Sequence, residues 1–342
     1  MNIKETQVKY QSIEIELLLA HVLKKSKEFL FISPEYGMSE NQIIRLNKAI
    51  KRREKGEPMA YILGYKDFYG MRFKVNKDVL IPRPETEELI NIVIASLSVR
   101  QTGASDLSSK ALATEEAISK NKGLPRSDAF ARNDIKILDV GTGSGCIAIA
   151  LAKILPTIAH DFKFKIYASD ISTKALTIGK QNAKKHNVKI KFIHSDILQN
   201  VRMTFDVLVA NLPYVPRKYY ESRIKNLGWE PKSALVDPKK DFDLYQRLFK
   251  QIASLPSLPK AVFLEIDPKQ KTLLPKIIKK YLRQADIKFH KDFNNLWRFA
   301  EIASAPKSPE LLLGDEGASR QAFGAGFMSP YCIRRSSTLP WL

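Results

Sequence analysis

The sequence predicts an α/β fold: a mostly parallel sheet covered by helices on both faces, preceded by a small N-terminal helical bundle and a β-hairpin linker. Three observations carry this. From residue 135 onward, short apolar runs of strand length alternate with amphipathic runs of helix length, the pattern of strand–helix–strand units. Residues 12–31 and 39–56 carry apolar residues at helical spacing. Between these regions "MRFKV" alternates apolar and polar positions before the chain breaks at Pro82 and Pro84, as a hairpin leading into a helix would.

Taken in order, "SIEIELLLAHVLKKSKEFLF" is helical by period, and "SENQIIRLNKAIKRREKG" opens with a capping box, Ser39 with Gln42, and stops at Gly56. Residues 1–56 are therefore expected to form a small helical domain, and residues 57–97 a hairpin and helix linker, its helix acidic in the first turn as the helix dipole prefers. Residues 98–134 are rich in Ser, Ala, Lys and Asp without a sustained apolar period, which predicts a mobile insertion. The catalytic unit then spans 135–302: strand "IKILDVG", helix "CIAIALAKIL", strand "KIYASD", helix "TKALTIGKQNAKKH", strands "KIKFIHSD" and "FDVLVAN", helix "DLYQRLFKQIA" and strand "KAVFLEID". Residues 303–342 are Gly-, Ser-, Pro- and Arg-rich, which predicts a disordered tail with Tyr331 and Trp341 as its docking residues, if it has any.

Composition narrows the class. With 342 residues the chain holds one sizeable catalytic domain and a smaller partner. The 56 Lys and Arg against 36 Asp and Glu leave +20, which suits a polyanionic partner or an acidic protein surface, or else reflects a Lys-rich background with solvated faces such as "KKSK" and "KRREK". Cys146 and Cys332 are too few and too far apart for a disulfide framework or a zinc site, so no metal is expected. The opening "MNIKETQVKY" has no apolar core of signal-peptide type, and no run approaches the roughly 18 apolar residues of a spanning helix. A cytoplasmic protein without membrane association is the expectation.

In a doubly covered parallel sheet, ligands sit beyond the carboxyl ends of the strands, and every candidate motif falls there. "DVGTGSG" places Gly141, Thr142, Gly143, Ser144 and Gly145 in a tight turn before a helix N-terminus, where glycine lets the backbone approach a ligand or simply pack closely. Its spacing is neither that of a dinucleotide fingerprint nor that of a phosphate loop. Asp170 ends the next strand, placed to accept both hydroxyls of a ribose, and Asp196 with Ile197 closes the following one, suited to an adenine amino group and its face. Last comes "NLPY": Asn211, Leu212, Pro213 and Tyr214 after the run "FDVLVA".

Together these residues resemble the class I S-adenosylmethionine-dependent methyltransferases, Rossmann-like enzymes. "NLPY" is similar to the Asn/Asp-Pro-Pro-Tyr/Phe turn of those that methylate a nitrogen conjugated to a π-system. A lone pair delocalised into a carbonyl is a poor nucleophile. Asn211 Oδ1 and the carbonyl of Leu212 would each accept one N–H of the target NH₂, orienting its lone pair, so that positioning supplies most of the catalysis. Tyr214 would give an aromatic wall. Leu212 stands where the family has its first proline; the carbonyl acceptor survives, the fixed φ does not, and Pro213 still biases Leu212 toward extended conformations.

More of the chain resembles the HemK-type protein glutamine methyltransferases, through "GEPMAYILGYKDFYG", "VLIPRPETEELI", "ILDVGTGSGCIAIALA", "ASDIS", "VLVANLPYVP", "WEPKSALVDP" and "DFNNLWRFAEI". The resemblance implies S-adenosylmethionine as cofactor, held by Gly141 to Gly145, Asp170, Asp196, Ile197 and Asn211. It also implies class I peptide chain release factors as partners, free or ribosome-associated, with residues 1–56 as the substrate-binding domain, and the side-chain amide N5 of the glutamine in Gly-Gly-Gln as acceptor, received by Asn211 to Tyr214. Arg83 and Glu85 are further candidates for the pocket or for a hinge; Glu230 reads as a brace for the loop after "NLPY", and Arg298 as a stacked or salt-bridged structural residue. Asp267 stands where the family usually has Gly. A ribosomal-protein glutamine, a nucleic-acid amino group acted on after base flipping, and an inactive release-factor binder remain as alternatives.

Overall fold

Period-two alternation along the strands decides the layers. In the computed structural model, which describes residues 1–10, 13–102, 134–160, 162–237 and 243–303, strand β3 (Asp134–Val140) sends Ile135 and Ile137 to one side and Leu138 and Val140 to the other. Strands β6 (Val207–Ala210) and β7 (Ala261–Glu265) do the same, with Val207, Val209, Ala261 and Phe263 on the first side and Leu208, Ala210, Val262 and Leu264 on the second. Burial on both faces is why β6 and the first four residues of β7 read as continuous apolar runs rather than alternating ones.

Helices cover each side. On the first lie α6 (Glu85–Thr102), through Leu89, Ile90, Val93 and Leu97, and α7 (Cys146–Ile158), through Ile147 to Leu151; α8 (Thr173–Lys185) adds Ala183. On the second lie α9 (Asp243–Ala253) and α10 (Leu274–Tyr281), through Tyr245, Leu248, Phe249, Leu274 and Ile278. Among the described residues β4 (Lys163–Asp170), β5 (Ile190–His194), β8 (Asp286–Lys291) and β9 (Trp297–Ala303) complete a seven-stranded sheet in the order β5-β4-β3-β6-β7-β9-β8. Strands β5, β4, β3, β6 and β7 are parallel to one another, and β9 is antiparallel to both β7 and β8. The parallel core is the expected one; β8, with its half-exposed alternating pattern, carries too little apolar signal to be read from sequence.

Ahead of the sheet, α1 (Ile3–Tyr10), α2 (Ile13–Leu23), α3 (Lys27–Ile32), α4 (Glu40–Glu54) and α5 (Met59–Leu63) enclose a core of Ile15, Leu18, Leu19, Leu30, Leu46 and Ile50. The capping box expected at Ser39 and Gln42 is formed. The hairpin is also present, β1 (Tyr65–Phe68) on β2 (Met71–Lys74), turning at Tyr69 and Gly70, both with positive φ, the geometry that a two-residue hairpin turn requires. Helix α6 continues to Thr102, past the start foreseen for the insertion. The rest of that insertion and the tail beyond residue 303, with Tyr331, Cys332 and Trp341, lie outside the described residues. Among those described, no helix is long and apolar enough to cross a membrane, and no group of His, Cys, Asp and Glu side chains could hold a metal ion.

One buried amide ties hairpin to sheet. Asn182 on α8 accepts from Lys74 N (2.7 Å) and donates to Lys74 O (3.0 Å) and Ser144 O (2.9 Å), so it joins β2 to the glycine turn after β3. Apolar packing of Val75, Val79 and Ile81 against Ala175 and Ile178 of α8 reinforces the same contact. Replacing Asn182 by Leu leaves the carbonyl of buried Ser144 and the backbone of Lys74 without this partner; the expected loss is about 2–4 kcal/mol of unfolding free energy, to be read by urea denaturation.

Candidate active site

The strand register gathers the predicted residues at one edge. Val140 at the end of β3 pairs with Ser169 on one side and with Ala210 on the other, and Asp170 pairs with His194. The glycine turn, Asp170, Asp196 with Ile197, and Asn211 therefore follow directly from the carboxyl ends of four neighbouring strands.

Gly141, Gly143 and Gly145 all have positive φ, and at Gly141 and Gly145 the space is closed as well. A Cβ on Gly141 would stand 3.3 Å from Leu212 Cδ2, and one on Gly145 3.3 Å from Gly179 Cα; at Gly143 nothing lies within 4 Å. Two glycines thus serve close packing, while the middle one turns an open backbone outward. Gly141 N and Thr142 N both donate to Ser169 O (2.8 and 2.9 Å), and Gly143 N donates to Asp170 Oδ2 (2.9 Å). Thr142 and Ser144 are buried: the threonine hydroxyl donates to Asp139 Oδ2 (2.6 Å) and the serine carbonyl accepts from Asn182.

Asp139 was not singled out from sequence. Its Oδ2 also accepts from Ala148 N (3.2 Å) in the first turn of α7, while its Oδ1 is buried without a partner. Burial, with repulsion from Asp170, pushes its carboxyl up to about 7 against those two hydrogen bonds. Asp170 is also raised, mainly by burial, and each of its oxygens already takes one amide, Gly143 N and Ser172 N. A carboxylate oxygen has a second lone pair, so a diol still finds acceptors there. The open glycine turn, the strand-end acid and the orphaned buried oxygen fit a ligand bearing a ribose and a positive charge.

Asp196 forms an ion pair with Arg247 of α9, a partner without any sequence signal. Ile197 beside it is buried with φ of 55°. A β-branched residue in the left-handed region costs of order 1–3 kcal/mol, and such strain collects at ligand sites. Leu198 N donating to Gln251 Oε1 (2.7 Å) holds the strained turn in place.

Asn211 is the next residue in the alternation Val207, Val209, and so shares a face with α6. Its Nδ2 donates to Thr86 Oγ1 (3.2 Å), Thr86 Oγ1 donates to Glu265 Oε2 (2.7 Å), and Tyr214 Oη donates to Glu265 Oε1 (3.0 Å). Glu265, the last residue of β7, is 1% exposed. Burial raises its pKa, opposed by the two hydroxyls and by Arg298; burial and the neighbouring carboxylate raise that of Tyr214. Leu212 takes the opposite face and packs in the second core, against Gly141, so the side chain that replaces the family's proline is built into the fold. Beside Pro213 and Tyr214 a cleft of about 260 Å³ is lined also by Val215, Pro216, Asp237, Asp267 and Gln270.

The remaining candidates separate. Arg83 pairs with Glu230 (2.5 Å), which is buried and also accepts from Ile81 N (3.0 Å), so the "IPRP" segment is strapped to the loop after "NLPY". It is Thr86, not Glu85, that reaches Asn211. Arg298 pairs with buried Asp292 (3.1 Å). Asp267 caps the 3-10 turn Pro268–Thr272, accepting from Lys269 N (2.9 Å) while its own N–H donates to Gln270 Oε1 (2.8 Å); this is the use made of an acid where the family usually has glycine.

Residues 2–64 match the PrmC N-terminal domain and residues 125–227 the methyltransferase small domain. A bifunctional methyltransferase of Rickettsia felis is 34% identical over 269 residues, covering 78% of this chain and 49% of the relative. The chain spans about half the length of this and similar bifunctional relatives. The release factor glutamine methyltransferase of Coxiella burnetii is 37% identical over 233 residues, 68% of this chain and 70% of the relative. That of Buchnera aphidicola subsp. Acyrthosiphon pisum is 33% identical over 279 residues, 81% of this chain and 87% of the relative. With such identity across most of both chains, and with the N-terminal domain matched as well, this chain belongs to the PrmC, or HemK-type, family of release factor glutamine methyltransferases.

Proposed function

We propose that this chain transfers a methyl group from S-adenosylmethionine to the side-chain amide N5 of the glutamine in the Gly-Gly-Gln loop of class I peptide chain release factors, in the cytoplasm. Residues 1–56 would serve as the substrate-binding domain, 57–97 as the linker and 135–302 as the methyltransferase domain. The observation that carries the reading is the anchored Asn211 amide, whose Nδ2 is engaged by Thr86 at the strand end next to the glycine turn.

S-adenosylmethionine supplies an electrophilic methyl on a sulfonium. This chain's residues do the rest by position. Gly141 to Gly145 would present backbone to the cofactor, with Thr142 and Ser144 anchoring that turn, Asp170 would take the ribose hydroxyls, and Asp196 with Ile197 the adenine. Asn211 Oδ1 and the Leu212 carbonyl would accept the two N–H bonds of the glutamine amide, turning its lone pair outward, with Pro213 and Tyr214 walling the flat group. No protein base is needed, because the methylated cationic amide is acidic enough to lose its proton to water.

Incubating the protein with S-adenosylmethionine and a folded class I release factor is expected to add one methyl to the glutamine of Gly-Gly-Gln, located by tandem mass spectrometry; an unmodified glutamine with cofactor still bound would refute the substrate. Asn211→Ala is expected to lower kcat about 10²–10³-fold while leaving cofactor Kd within a few-fold. Unchanged turnover would remove the amide from the mechanism.

Asp139 makes a separate prediction. Its native pKa of about 7 lies above the roughly 3.9 of an unfolded Asp, so between those values the native state holds more protons and wild-type stability falls as pH rises through that window. Asp139→Asn keeps an acceptor for Thr142 and loses the charge. Without cofactor it should melt level with wild type at pH 4 and above it at pH 8; a gap that does not widen with pH would show an acid already ionised in the native protein.

A further inference from the structure

The hydroxyl of Thr86 has one proton and two lone pairs. Glu265, when ionised, has only acceptors, and both nearby hydroxyls reach it: Thr86 at 2.7 Å on Oε2 and Tyr214 at 3.0 Å on Oε1. The threonine proton is therefore committed to the carboxylate, and what Thr86 offers Asn211 is a lone pair. Only the NH₂ end of the asparagine amide can meet it, at 3.2 Å. The direction of the amide, which electron density alone seldom distinguishes, follows here from the hydrogen bond that Thr86 gives to Glu265.

We infer that Thr86 and Glu265 are positioning residues for glutamine methylation, a relay that fixes Asn211 with its acceptor Oδ1 free for the substrate amide and pins Tyr214 by its hydroxyl. The inference rests on the reading of Asn211 given above. The relay crosses three separate parts of the fold: α6 supplies Thr86, β7 supplies Glu265, and the turn after β6 supplies Asn211 and Tyr214. A flipped amide would point two donors at a substrate NH₂ that itself only donates, so the relay excludes the non-productive rotamer. Glu265 sits on the α6 face by strand alternation with Ala261 and Phe263, among buried apolar side chains, and burying an acid there is costly unless its oxygens are occupied. Both are, by the two hydroxyls.

The test compares Thr86→Val, Thr86→Ser and Glu265→Gln with wild type. Val keeps the shape of Thr and removes the lone pair; Gln keeps the shape of Glu and replaces one acceptor by a donor, so that the two hydroxyls can no longer both donate. With S-adenosylmethionine and a folded release factor, Thr86→Val and Glu265→Gln should each lower kcat about 10- to 100-fold, with cofactor Kd by calorimetry within twofold of wild type, and Thr86→Ser should recover most of the loss. Independently of activity, the Asn211 side-chain NH₂, identified by NMR through its absence in Asn211→Ala, should exchange slowly with solvent in wild type and Thr86→Ser and fast in Thr86→Val. A Thr86→Val or Glu265→Gln enzyme with kcat within twofold of wild type would overturn the inference, as would cofactor affinity falling in step with kcat. If wild type leaves the glutamine unmodified, the functional reading fails on its own, and the exchange rates still decide the relay: slow exchange lost in Thr86→Val supports it, and equal rates in the two proteins refute it.

Discussion

A strand buried on both faces cannot keep a polar side chain along its length without a partner for it, and the rest of this structure follows from that constraint. In β6 and β7 the positions before the last are hydrocarbon, and in β3 the buried acid Asp139 stands next to the strand's end, so chemistry is displaced toward where the strands stop. Parallel alignment then brings those stops to one edge, because each of the strands from β3 to β7 runs the same way. Glycine turn, acid and amide are distant in sequence, and they share an edge because the parallel strands that carry them end there.

The edge still needs to be closed and oriented, and that work falls to segments outside the sheet. Asn182 joins the hairpin to the glycine turn, Glu230 holds Ile81 and Arg83 of the proline segment, and Thr86 brings the start of α6 to Asn211. Each tie is a buried polar group with all but its intended partner excluded, which makes it directional in a way that apolar packing is not. The hairpin and the proline-bearing stretch, which looked in the sequence like a bridge, thus form one wall of the candidate site.

Much of this was legible because it leaves local traces. Apolar runs marked the core strands, glycines with enforced positive φ marked the turn, and acids at strand ends stood out against hydrocarbon. What escaped was long-range. Glu265 ends a strand as Asp170 does, and the same signal applied to "AVFLE" points to it; Thr86 lies one residue from a named candidate, but only the approach of α6 to β6 tells it from Glu85. Arg247 sits on an amphipathic helix among other polar residues, and nothing local pairs it with Asp196. The capping role of Asp267 does leave a local trace, an acid followed three residues later by Gln270.

Asp139, Asp170 and Glu265 form a row of acids whose pKa values all rise on burial, in a chain whose net charge is +20. The two facts are compatible because they act at different ranges. Net charge sets the far field that a partner meets on approach, screened over roughly 8–10 Å of saline; the acids act within a few ångströms, behind protein that salt does not penetrate. A net positive chain favours an acidic partner at long range, whereas a buried acid, once ionised, favours a cationic group only at contact.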